Sequence, residues 1–79
     1  MSNEKHLVRL TGWKTGFRTM DLTLLIREAA RVDLRKAKEM VEEVLNGGEL
    51  VIRFDTEEQA RAFWALAEPT GVIGRVCDS

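Results

Sequence analysis

His6, Val8 and Leu10 alternate with Leu7, Arg9 and Thr11, a period of two that predicts a first strand over about residues 6–12. The loop Gly12-Trp13-Lys14-Thr15-Gly16-Phe17-Arg18 follows, and then the period lengthens. Leu22, Leu25, Ile26, Ala29 and Ala30 recur at helical spacing, with Thr19 or Asp21 available as N-cap and an end near Arg31. After the short break Val32-Asp33, a second helix opens with Asp33 as its cap. It repeats Leu34, Ala37, Val41, Val44 and Leu45 on one face, with Met40 at the border and charges opposite. Asn46-Gly47-Gly48 supplies a left-handed stop. Leu50, Ile52 and Phe54 alternate with Val51 and Arg53 in a second strand. Asp55-Thr56-Glu57-Glu58 reads as an Asp-x-x-Glu capping arrangement for a third helix, whose buried stripe is Ala60, Phe63, Trp64 and Ala67. Pro69-Thr70-Gly71 ends that helix, and Val72 to Cys77 alternates again as a third strand.

The order β-α-α-β-α-β, with short strands and amphipathic helices, predicts an α+β fold of two layers. In it a three-stranded sheet carries all three helices on one face. Val8, Leu10, Leu50, Ile52, Phe54, Val72 and Val76 then point at the helices. The open face shows Leu7, Arg9 and Thr11, then Val51 and Arg53, then Ile73, Arg75 and Cys77, so each strand offers one arginine outward.

Composition narrows this picture without redirecting it. A chain of 79 residues, 44% of them hydrophobic, has room for one domain, with an ordered core expected over about 6–77. At this size about 60 to 70% of the unfolded chain's surface is buried on folding, enough for a thin core. Cys77 has no partner in the chain, which excludes an internal disulfide. No apolar run approaches the roughly 20 residues that span a bilayer, and MSNEKHLVRL lacks the apolar stretch of a secretory signal, so a cytoplasmic protein is expected.

Charge is more informative in its distribution than in its total of −1. Residues 1–38 carry nine Lys or Arg against four Asp or Glu, and residues 39–79 carry three against nine, so the halves have opposite sign.

Candidate chemistry is sparse. His6 is the only histidine and Cys77 the only cysteine, near opposite ends of the chain, and no orienting acid or oxyanion device accompanies them. No catalytic residues, metal ligands or cofactor are therefore expected. Gly12 and Gly16 lack the strand-to-helix signature of a phosphate loop.

The helical pair carries a family resemblance. Leu24-Leu25-Ile26-Arg27-Glu28-Ala29 followed by Leu34-Arg35-Lys36-Ala37-Lys38-Glu39-Met40-Val41-Glu42 resembles the C-terminal domain of the bacterial ribosomal stalk protein. The likeness extends over roughly residues 6–77 and is sharpest over 25–42. It implies the same β-α-α-β-α-β fold, which the Clp protease adaptor family shares, and recruitment of a translational GTPase through the first two helices. Matched residue by residue, the resemblance puts the family's helix-end arginine on Arg27, its leucine after the turn on Leu34, and its following basic positions on Arg35 and Lys38. Thr19 and Leu24 stand where that family carries lysine, and Arg31-Val32-Asp33 stands where its turn reads Gly-Leu-Gly. Resemblance to the Clp adaptors implies a protease component and its peptides as partners. Their peptide-capturing Asn-Asp pair and histidine correspond here to Gly12-Trp13-Lys14 and Glu42-Glu43-Val44.

Three surfaces are candidates for binding. Arg27, Arg31, Leu34, Arg35 and Lys38, with Lys36, form a basic turn suited to an acidic protein partner or a phosphate backbone. The same residues read as a solvated surface if Arg35 pairs with Glu39 and Lys38 with Glu42. Arg9, Arg53 and Arg75 on the open sheet would take a partner, a second copy in a weak homodimer, or nucleic acid, although no aromatic platform for stacked bases lies among them. Trp13, Lys14, Phe17 and Arg18 either form an exposed loop for a peptide or, together with the open-sheet arginines, nucleic acid, or fold back to plug the core edge.

Overall fold

In a computed structural model, which describes residues 6–77, the chain runs β1 (Leu7–Trp13), α1 (Thr19–Ala30), α2 (Leu34–Leu45), β2 (Leu50–Arg53), α3 (Glu57–Ala67) and β3 (Val72–Cys77). A single 3-10 turn, Glu68–Thr70, links α3 to β3. Residues 1–5, on which part of the signal-sequence reading rests, lie outside the described residues. The sheet is antiparallel in the order β2-β1-β3. The architecture is the expected α+β one: Val8, Leu10, Ile52 and Val72 from one sheet face are buried with Leu22, Ile26, Ala37, Val41, Val44, Ala60, Phe63 and Ala67 from the helices. Trp64, Leu50, Phe54 and Val76 are half-buried and pack against this core.

The helix ends correct two expectations. Neither Thr19 nor Asp21 caps α1; Arg18 takes the cap position without a side-chain bond, because its backbone N–H is tied to Thr70 O at 2.7 Å and the helix starts directly after that anchor. Asp21 still lies in the first turn, where its charge suits the helix dipole. At α3 the cap is Thr56 and not Asp55. Thr56 Oγ1 accepts from Gln59 N–H at 3.1 Å, and Gln59 Oε1 accepts from Asp55 N–H at 3.1 Å, so the reciprocal pair sits one residue further along than the Asp-x-x-Glu pattern. Asp33 caps α2 as expected, accepting from Lys36 N–H at 2.8 Å, and Gly47 takes the left-handed stop with φ 92°.

β1 contains a bulge. Its pairing with β3 runs from Leu7–Cys77 to Leu10–Gly74, then resumes at Gly12–Ile73 and Trp13–Val72, leaving Thr11 without an opposite residue. The extra residue exchanges the faces beyond it, so Trp13 lies opposite buried Val72, at the helix side of the sheet end, and is 47% exposed there.

Candidate functional site

The turn between α1 and α2 is built from a strained residue. Arg31 caps α1 in the left-handed region (φ 56°, ψ 47°), and its N–H and that of Val32 both reach Arg27 O. Left-handed geometry costs a side-chain-bearing residue about 1 kcal/mol or more, which is why glycine is the usual occupant. Val32, read as part of a break, packs against the core, and Leu34 stays 39% exposed although its spacing placed it on the buried face.

Charge along α2 runs against the helix dipole. Its first turn holds Arg35 and Lys36 and no acid; Lys38 follows, and then Glu39, Glu42 and Glu43 lead toward its C-terminus. A positive charge beside a helix N-terminus is unfavourable by about 0.3 to 1 kcal/mol when exposed. α1 and α3 have the favourable order, with Asp21 and with Glu57 and Glu58 in their first turns. The intrahelical pairs Arg35–Glu39 and Lys38–Glu42 do not form: among the described residues Arg27, Arg31, Arg35, Lys36 and Lys38 make no ion pair.

The five residues of the basic turn are not all brought together. Leu34, Arg35 and Lys38 share a shallow depression of about 430 Å³ with Glu39 and Glu42. Arg31 instead borders a separate one of about 380 Å³, with Glu28, Arg53, Asp55 and Gln59. Arg27, exposed in the last turn of α1, borders neither. Lys38 also edges a crevice of about 130 Å³ between α1 and α2, beside Met20 and Thr23. Exposed Met20 and Leu24 on α1 were not among the expected site residues. Their signal in the sequence is two apolar residues four apart, off the stripe of Leu22 and Ile26.

The other two surfaces also differ from expectation. On the open sheet face Arg9 is engaged by Glu49 (Nη1 to Oε2, 2.7 Å), whereas Arg53 and Arg75 are exposed and make no ion pair among the described residues. The loop is pinned to the 3-10 turn: Lys14 N–H donates to Gly71 O at 2.8 Å, beside the Arg18–Thr70 bond. Phe17 folds back against the core, while Trp13, Lys14 and Arg18 remain exposed, Arg18 in a loose pair with Asp21 at 3.8 Å. The loop therefore plugs the core edge with one aromatic and exposes the other.

β1 and β3 are neighbours, with Cys77 opposite Leu7, but among the described residues no three His, Cys, Asp or Glu side chains group as metal ligands would. Among them, too, no helix is long and apolar enough to cross a membrane. Comparison of the chain with protein-family models, with curated proteins and with solved structures returns no match.

Proposed function

We propose that the protein is a non-enzymatic interaction domain that binds an acidic surface of a partner protein through the α1–α2 hairpin, using Arg27, Arg31, Leu34, Arg35 and Lys38. The observation that carries this reading is the charge order of α2: cations at the helix end where its dipole disfavours them, unpaired, beside an exposed leucine. Asp33 caps this helix end, but no carboxylate pairs with Arg35, Lys36 or Lys38 among the described residues, and an anionic partner would supply that counter-charge. The resemblance to the ribosomal stalk C-terminal domain supports the same surface and suggests a translational GTPase as the kind of partner; the likeness to the Clp adaptors suggests a protease component, but their capture site corresponds to other residues, Gly12-Trp13-Lys14 and Glu42-Glu43-Val44.

The test is a pull-down with the double variant Arg35→Glu, Lys38→Glu beside the unaltered chain. Partner recovery should be lost while the unfolding temperature stays within about 4 °C, because a carboxylate in the first turn of α2 suits the dipole. Recovery of the same partners by both chains would refute the hairpin surface.

Arg31 allows a second check. Arg31→Gly relieves the left-handed strain and should raise stability by about 1 kcal/mol, or about 4 to 8 °C in a domain of this size, while weakening partner binding through the lost cation. Thermal unfolding and an affinity measurement on the same preparation would read both changes.

A further inference from the structure

We infer that the open face of the sheet is a second docking surface, whose occupant is an acidic amphipathic helix of a partner protein lying along the central strand β1, between the edge strands β2 and β3, as a third layer. The strand register sets this face out in rows: Arg53, Leu7 and Cys77 lie abreast, then Val51, Arg9 and Arg75, then Gly12 and Ile73. Val51 and Ile73 are 41% and 42% exposed, so apolar side chains stand in water between the cations.

The cations are placed at a cost to the fold. Arg9 and Arg75 lie directly opposite each other on adjacent strands, where like charges destabilise a sheet. Glu49 answers Arg9 alone, leaving Arg75 and Arg53 without an ion pair among the described residues. Carboxylates arriving from outside would complete Arg75, and would add to Glu28 and Asp55, which border the same depression as Arg53 without an ion pair to it.

The sign and spacing of these groups choose the occupant. A second copy docking the same face by a two-fold axis would bring a cationic surface against itself. Nucleic acid finds no aromatic ring in the three rows on which to stack a base, and half-exposed valine and isoleucine offer nothing to a phosphate backbone. A protein helix fits both chemistries. Arg53 and Arg75 stand on the two edge strands, about 10 Å apart across the sheet, close to the diameter of a helix with its side chains. Acids on its two flanks would meet the arginines while its apolar stripe covers Leu7 on the central strand and its apolar borders touch Val51 and Ile73 on the edge strands.

This surface lies on the sheet face away from the α1–α2 hairpin and does not rest on the function proposed for that hairpin, but Arg53 at its β2 edge also borders the depression that holds Arg31 and Glu28, so Arg75 is the arginine that reads this face alone. The test is a titration of the full chain, followed by amide chemical shifts and by affinity, with a model peptide bearing leucine at i, i+3, i+4 and i+7 and glutamate on both flanks. Shifts should concentrate on Leu7, Val51, Ile73 and their strand neighbours. Arg53→Glu with Arg75→Glu should weaken binding at least tenfold, and Arg35→Glu with Lys38→Glu by less than twofold. The Arg75→Glu change puts a carboxylate beside Arg9, so the altered chain should keep its fold, and its unchanged amide dispersion serves as the control. If Arg53→Glu and Arg75→Glu lower stability too far, the peptide with lysine in place of glutamate decides instead: its failure to bind the unaltered chain supports the proposal, and equal binding refutes it. Shifts confined to α1 and α2, or tighter binding of an RNA oligonucleotide at these same strand residues with a steep salt dependence, would also overturn it.

Discussion

Replacing Gly74 by alanine is expected to destabilise the protein by about 3 kcal/mol, in the upper range for overpacking. Gly74 pairs with Leu10 at the point where β1 bulges, and there β3 lies so close to β1 that an added Cβ would run into the carbonyl oxygen of Arg9. Leu10 Cδ2, 3.0 Å from the same position, could turn aside, but the carbonyl belongs to the backbone of the central strand and moves only if the β1–β3 ladder opens. Domains of this length have roughly 4 to 12 kcal/mol in total. In urea the midpoint should therefore fall by more than about 1 M. Adding Leu10→Val, which removes the side-chain contact and leaves the carbonyl, should bring no recovery. A midpoint unchanged by Gly74→Ala would mean that β3 shifts freely along β1.

Most of this fold is legible in the sequence because each element buries only one side. The alternation of Val8 with Leu7 and Arg9, and the spacing of Ala37, Val41 and Val44, are direct consequences of a single thin core. The bulge at Thr11 is not legible, since it depends on how closely Gly74 lets another strand approach. Cap positions shift for a related reason: the start of α1 is set by the bond from Arg18 to Thr70, a contact across more than fifty residues. At the candidate site, the reversed charge order of α2 can be read from residues 34–43 once the helix is assigned. Whether Arg35 and Lys38 pair with Glu39 and Glu42 cannot, because the spacing permits a bond that the side chains do not make. The exposure of Leu34 likewise turns on Val32, which takes the core contact from the loop side.

Leu10→Ala should lower stability by about 2 to 5 kcal/mol, toward the upper end if the surrounding side chains fail to close over the space. Leu10 is fully buried in the central strand, opposite Leu50 of β2 and Gly74 of β3, and its side chain lies under the helical layer. Neither proposed docking surface contains it, yet both depend on it: the hairpin rests on the face that Leu10 fills, and the arginines of the open face are spaced by the strand that carries it. As temperature rises, the two binding activities of the Leu10→Ala chain should therefore disappear together, in proportion to the unfolded fraction. Charge reversal at Arg35 and Lys38, or at Arg75 alone, should instead weaken one activity at every temperature and spare the other. Parallel titrations of both surfaces between 10 and 45 °C, beside circular dichroism, distinguish loss of fold from loss of contact. If one activity of the Leu10→Ala chain outlasted its helical signal, that surface would not need the two-layer fold, and the geometric argument for it would fail.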